Sequence, residues 1–217
     1  MTDARPFIVK ICGITSPEDA RLAASAGADA IGVNLWPGSK RFVDDARARD
    51  VLGAVPPGVL KVGVFVNAPP TEVRDRMLAL GLDRAQLHGD ETPGAFAALD
   101  AARLIRVVRV RDESSFAVAA GWSVPLFLYD ALVDGYGGGG VTAPWPLIAR
   151  LGRRPLWLAG GLTPDNVAAA IAAVRPDGVD VASGVESTPR HKDATRLRAF
   201  VTAARAAASA MYILPTP

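Results

Sequence analysis

The sequence predicts an α/β fold, a single (β/α)8 TIM barrel, on three observations. Short β-branched runs alternate with Ala/Leu-rich helical stretches over all 217 residues, which is the pattern of βα units and of a parallel sheet. Eight such units can be counted, at about 25 residues each, close to the minimum for this barrel. The first strand is followed by Cys12-Gly13-Ile14-Thr15, where an open doubly wound sheet would carry its Gly-rich fingerprint. The longest glycine run, residues 137–140, instead follows the sixth strand, where a barrel keeps its functional loops. No Ser-, Gly- or Pro-rich linker divides the chain, so one domain over residues 1–217 is expected.

Strands are expected over residues 7–11, 30–35, 60–66, 84–87, 104–110, 125–129, 155–159 and 178–182. Helical patterns begin near Pro17, Asp45, Pro70, Thr92, Glu113, Pro144, Pro164 and Lys192. Several open with Ser, Thr or Asp beside a proline, as helix starts prefer. The Ala-rich tail, 206–217, reads as a fraying helix end and a short extension.

Half of the residues are apolar and 21% are charged, which supports an ordinary globular core. The 24 basic residues nearly balance the 22 acidic ones and are dispersed, so no nucleic-acid partner is expected. The densest basic stretch, 190–198, contains Asp193 and reads as the entry to a solvated helix. One cysteine permits no internal disulfide, the start MTDARPF lacks an apolar signal core, and no apolar run is long enough to cross a bilayer. The cytoplasm is the expected location, with no membrane partner.

Alternate side chains of a strand share a face. In the first strand Ile8, Lys10 and Cys12 therefore point inward if Val9 and Ile11 face the helices. In the sixth, Leu126, Leu128 and Asp130 point inward and Phe127 and Tyr129 outward. Both strands thus end on a proton-exchanging group at the carboxyl mouth, where barrels of this kind do their chemistry. A thiolate can act as a base, and a carboxylic acid kept protonated by apolar surroundings can act as an acid. The competing readings are a small buried apolar residue for Cys12 and a cap or surface carboxylate for Asp130, with Asp134 a rival for the acid role.

Gly160-Gly161 and Ser183-Gly184 follow the seventh and eighth strands, where backbone N–H groups commonly hold a phosphate. The competing reading is a pair of ordinary strand-to-helix turns. Lys10 inside the barrel requires a carboxylate partner, and Asp180, inward on the eighth strand, is the candidate. That pair reads as structural, with a field that reaches the Cys12 thiol. Arg41 could hold a substrate carboxylate through its fork, or face solvent from its loop.

Together these residues form a series of motifs: Val9-Lys10-Ile11-Cys12-Gly13-Ile14-Thr15, Ser39-Lys40-Arg41-Phe42-Val43, Gln86-Leu87-His88-Gly89-Asp90-Glu91, Leu158-Ala159-Gly160-Gly161-Leu162 with Asn166-Val167, and Val179-Asp180-Val181-Ala182-Ser183-Gly184-Val185-Glu186 with Lys192-Asp193. In this order the chain resembles the phosphoribosylanthranilate isomerases. The resemblance implies the Amadori rearrangement of N-(5'-phosphoribosyl)anthranilate to 1-(2-carboxyphenylamino)-1-deoxyribulose 5-phosphate, a step of tryptophan biosynthesis, with no metal and no organic cofactor. It implies Asp130 as general acid and Cys12 as base, Arg41 on the anthranilate carboxylate, and Gly160, Gly161, Ser183 and Gly184 around the phosphate. His88 would line the pocket in a supporting role rather than transfer the proton.

The chain departs from the family pattern at Asn34, at Lys40 where proline is usual, at Val141 after the glycine run, and at Pro189-Arg190-His191. The expected partner is a small phosphorylated substrate, and the chain is expected to be a monomer or a homodimer. The alternatives are another ribose-phosphate barrel enzyme and a non-catalytic sugar-phosphate binder.

Overall fold

The computed structural model describes residues 7–131 and 143–213. Eight parallel strands close into a barrel in chain order. They are β1 (Ile8–Ile11), β2 (Ala30–Asn34), β3 (Leu60–Phe65), β4 (Arg84–Leu87), β5 (Leu104–Val110), β6 (Phe127–Ala131), β7 (Leu156–Leu158) and β8 (Gly178–Val181). Closure is made by β1 against β8, with Lys10 opposite Asp180.

The period-two pattern sorts the side chains into two layers. Val9, Ile11, Phe127, Tyr129, Val179 and Val181 join the shell packed beneath the helices. Ala30, Val62, Ile105, Val107, Leu128 and Trp157 fill the barrel interior. The inward assignments of Lys10, Asp130 and Asp180 therefore hold, and β6 reaches two residues beyond its expected end. Parallel pairing with β5, through Arg109 opposite Asp130 and Val110 opposite Ala131, carries it there.

Six α-helices pack outside: α1 (Pro17–Ser25), α2 (Asp45–Gly53), α3 (Pro70–Ala79), α4 (Trp145–Leu151), α5 (Val167–Val174) and α6 (Ala194–Ile213). The Ser16 hydroxyl accepts from the Asp19 N–H at 3.1 Å, and Asp44 accepts from the Arg47 N–H at 2.8 Å, so α1 and α2 start where the sequence signals them.

Two expected helices do not form. From Thr92 the chain makes turns and a three-residue 3-10 helix, Ala101–Arg103. Glu91 is tied to the Asn67 N–H at 2.8 Å, and Asp100 already caps the next segment. Between them, Pro93-Gly94 near the start of the segment favours a turn over a helix. From Glu113 the capping box of Asp112 and Ser115 opens a 3-10 helix, Glu113–Ala119, and Gly121 at φ +77° turns the chain away. The helix expected near Pro164 begins at Val167, because Asn166 first binds across the preceding loop.

The basic stretch at 190–198 is only partly a helix entry. A hairpin of β9 (Glu186–Thr188) and β10 (His191–Lys192) precedes α6, and Lys192 is buried. Residues 206–213 of the expected fraying tail lie within α6. Asp134, the glycine run 137–140 and Val141 lie outside the described residues. No helix among the described residues is long and apolar enough to cross a membrane.

Candidate active site

Cys12 follows directly on β1, its N–H donating to the Val181 carbonyl at 2.8 Å. Gly13, at φ +69°, turns the chain there, and a Cβ on it would fall 2.2 Å from Arg41 Cδ. The backbone therefore leaves room for Arg41 to lie across the loop. Beneath Cys12, Lys10 is fully buried and donates to Asp180 Oδ1 at 2.9 Å, the pair predicted from parity. Burial raises the Cys12 thiol above its ordinary range, while the Lys10 charge pulls it down and the Asp180 charge raises it further.

Arg41 is not a solvent-facing loop residue. Its Nε and Nη2 donate to Glu186 Oε1 and Oε2 at 2.7 and 2.6 Å, a bidentate pair made by residues far apart in sequence. Lys192 donates to the same carboxylate at 3.0 Å and to the carbonyls of Cys12 and Ala182 at 2.8 and 3.0 Å. Burial acts against the Glu186 carboxylate, but bonds to Arg41 and Lys192 outweigh it and hold its pKa below the ordinary value. Glu186 and Lys192 were visible as motif letters, yet nothing in spacing assigned them to Arg41 and Cys12.

Across the mouth, Asp130 is 9% exposed and its Oδ1 accepts from the Ala131 N–H at 2.8 Å. Burial, reinforced by the negative charge of Asp180, pushes its pKa up to about 7. His88 follows β4, with Nε2 3.6 Å from Asp130 Oδ2, beyond hydrogen-bond range. The Gln86 amide nitrogen lies 3.3 Å from His88 Nδ1. With that amide donating, the ring proton sits on Nε2, facing Asp130. Burial, then the charges of Arg109, Lys10 and Arg106, lower His88 to about 3, so its ring is neutral at pH 7. The buried Nε2 has no hydrogen-bond partner among the described residues.

The glycine turns after β7 and β8 press together beside these groups. A Cβ on Gly184 would meet the Leu162 carbonyl oxygen at 1.9 Å, and one on Gly160, at φ +87°, would meet the Ala131 nitrogen at 2.6 Å and Asp130 Oδ1 at 2.9 Å. Gly161 is also left-handed, at φ +62°. The Asn166 side chain fastens this loop, donating to the Gly161 carbonyl at 2.9 Å and accepting from the Thr163 N–H at 2.8 Å. Ser183 and Gly184 open the 3-10 turn Ser183–Val185 and are partly exposed.

One mouth residue escaped the sequence reading. Arg109 stands opposite Asp130 in the β5/β6 register and is bonded to Asp90 at 2.6 Å. Parity along β5, applied to Ile105 and Val107, would have found it. No cluster of three or more His, Cys, Asp or Glu side chains able to hold a metal occurs among the described residues.

Such a mouth on an eight-stranded parallel barrel defines a class: a (β/α)8-barrel isomerase with proton-exchanging groups at the strands' carboxyl ends. The family model for N-(5'phosphoribosyl)anthranilate (PRA) isomerase matches residues 9–203, and the chain belongs to that family. The N-(5'-phosphoribosyl)anthranilate isomerase of Rubrobacter xylanophilus is 48% identical over 202 residues, 91% of this chain and 98% of that protein. The same enzyme of Pelobacter propionicus is 45% identical over 199 residues, 91% and 95% of the two chains. The crystal structure of phosphoribosyl anthranilate isomerase from Thermotoga maritima is similar with a TM-score of 0.84 and 40% identity, covering 92% of this chain and 98% of that one. A phosphoribosyl anthranilate isomerase in complex with reduced 1-(o-carboxyphenylamino)-1-deoxyribulose 5-phosphate is similar with a TM-score of 0.80 and 36% identity, over 92% and 98%.

Proposed function

We propose that this chain converts N-(5'-phosphoribosyl)anthranilate to 1-(2-carboxyphenylamino)-1-deoxyribulose 5-phosphate in tryptophan biosynthesis, with Asp130 as acid and Cys12 as base. Asp130 gives its proton to the ribose ring oxygen as the bond from that oxygen to C1' breaks, leaving a protonated Schiff base. The Cys12 thiolate then takes the C2' proton, and the resulting enolamine tautomerises to the ketone. The observation that carries this reading is the buried Asp130, whose pKa of about 7 keeps a substantial protonated fraction near neutrality, at the same mouth as Cys12. An acid working near neutral pH needs a pKa in that region.

The remaining assignments follow from what each group has left to offer. Arg41 spends its Nε/Nη2 edge on Glu186, so the substrate carboxylate would meet the Nη1/Nη2 edge of an already anchored guanidinium. Gly160, Gly161, Ser183 and Gly184 would surround the phosphate, since the two turns lie together and glycine permits close backbone approach. The unpartnered His88 Nε2–H would donate to a substrate oxygen next to Asp130. Neither a metal nor an organic cofactor enters these steps. The reading extends to a cytoplasmic enzyme that is a monomer or a homodimer, and light scattering would distinguish the two.

The test is the fluorescence decay of freshly generated phosphoribosylanthranilate on adding the protein, with identification of the product. Fast decay to the deoxyribulose phosphate is the expected result. A folded protein that binds the product but does not accelerate decay would favour a non-catalytic binder.

A further inference from the structure

Burial alone would make Cys12 a poor base, so the groups around its sulfur decide whether it can act as one. We infer that Lys10 is a positioning residue for Cys12: its ammonium favours the thiolate, Asp180 draws on the same ammonium from the other side, and Gly32 leaves the space that the lysine and the thiol occupy. The inference rests on the assignment of Cys12 as base and extends it to residues that do not touch the substrate.

The geometry has three parts. Lys10, fully buried, donates to Asp180 Oδ1 at 2.9 Å, and its ammonium and the Cys12 thiol act on each other through their charges. On the neighbouring strand, a Cβ at Gly32 would stand 2.9 Å from Cys12 Sγ, 3.0 Å from Lys10 Nζ and 3.1 Å from Lys10 Cε. A side chain there would have to displace one partner or the other. The third part is charge balance.

The charged groups around the thiol come from every side. Lys10 lies on β1, Asp180 on β8, Arg41 beyond β2, Glu186 on β9 and Lys192 on β10. Arg41 and Lys192 share Glu186, and Lys10 has Asp180, so three cations face two carboxylates. A thiolate formed at Cys12 would balance the set, against the burial that raises the thiol overall. Asp130 and His88, on the far side, feel the Lys10 charge as well, but neither bears a full charge near neutrality that would replace the thiolate.

The chain has a single cysteine, so the rate of iodoacetamide alkylation against pH reads the ionisation of Cys12 alone, without turnover. The measurement compares the wild type with folded Lys10→Met, Asp180→Asn and Gly32→Ala. Lys10→Met is expected to raise the alkylation midpoint by about 1 pH unit or more, and Asp180→Asn to lower it by a similar amount. Gly32→Ala should move it in the direction of Lys10→Met.

Lys10→Met and Asp180→Asn break the same salt bridge, so a purely structural role would move the midpoint the same way in both, or not at all, and either result overturns the inference. Should Lys10→Met fail to fold, Asp180→Asn decides alone: a lowered midpoint supports the inference and an unchanged or raised one refutes it. Failure of the base assignment itself is separable, because it would appear as Cys12→Ser retaining turnover whatever the alkylation midpoints do.

Discussion

On the β1/β8 side of the mouth, charges are met by charges: Lys10 by Asp180, and Arg41 and Lys192 by Glu186. On the β4/β6 side, a neutral His88 ring faces Asp130 at 3.6 Å, and the carboxyl is about half protonated at pH 7. The same degree of burial is thus put to opposite uses. Withdrawing water from a carboxyl is enough to make it an acid near neutrality. Making a base of a largely desolvated, partly exposed thiol takes fixed positive charge as well, and that charge must be balanced to be tolerated.

The largest expected effect breaks the chemistry on each side in turn. Cys12→Ala and Asp130→Asn should each lower kcat by about 10²-fold to 10⁴-fold, read by the fluorescence decay. Full activity in Asp130→Asn would move the acid role elsewhere, Asp134 being the nearest rival along the chain. The paired side should also be fragile. Glu186→Ala strands two buried cations and is expected to cost about 3–5 kcal/mol of stability, measured as a fall in the urea midpoint.

The neutral side should respond in the opposite sense. Asp130 is harder to ionise in the folded protein, about 7 against an ordinary 3.8. It therefore costs nothing at low pH, a growing amount as pH rises above 3.8, and its full penalty above 7. Asp130→Asn should accordingly be more stable than the wild type at pH 8, by about 4 kcal/mol, and equal to it near pH 3. His88 supplies the mirror case. Its depressed pKa means that the unfolded chain takes up a proton first, so wild-type stability falls as pH drops from about 6.5 towards 3, and His88→Gln should flatten that fall in chemical denaturation. The smallest effect belongs to Arg109, whose charge helps hold Asp130 down. Arg109→Ala should raise the Asp130 midpoint by less than about 1 pH unit, because the arginine is partly solvated.

The sequence revealed more of the barrel than of its pairings. Alternation placed Lys10, Cys12, Asp130 and Asp180 on the inner face because a strand's period is fixed by its backbone. The need of a buried ammonium for a carboxylate then joined Lys10 to Asp180. No local rule joins Arg41 to Glu186, which meet only because closing the barrel brings the loop after β2 against the segment after β8. The same distance hid Lys192, which read as part of a solvated basic stretch until the β9/β10 hairpin turned it inward. The missing helices after β4 and β5 were illegible for a local reason: their Ala-rich composition favours helix, but the caps at Asp100 and Asp112 leave stretches that form 3-10 turns instead.

Burial keeps Asp130 protonated into the neutral range, while the thiol opposite relies on fixed charge. Infrared difference spectroscopy between the wild type and Asp130→Asn isolates the carboxylic-acid carbonyl band of that one side chain across pH 4 to 9. The expected result is a band that persists through pH 6 and is lost with a midpoint at about 7; a band already absent at pH 5 would show an ordinary ionised carboxylate and overturn this role for burial.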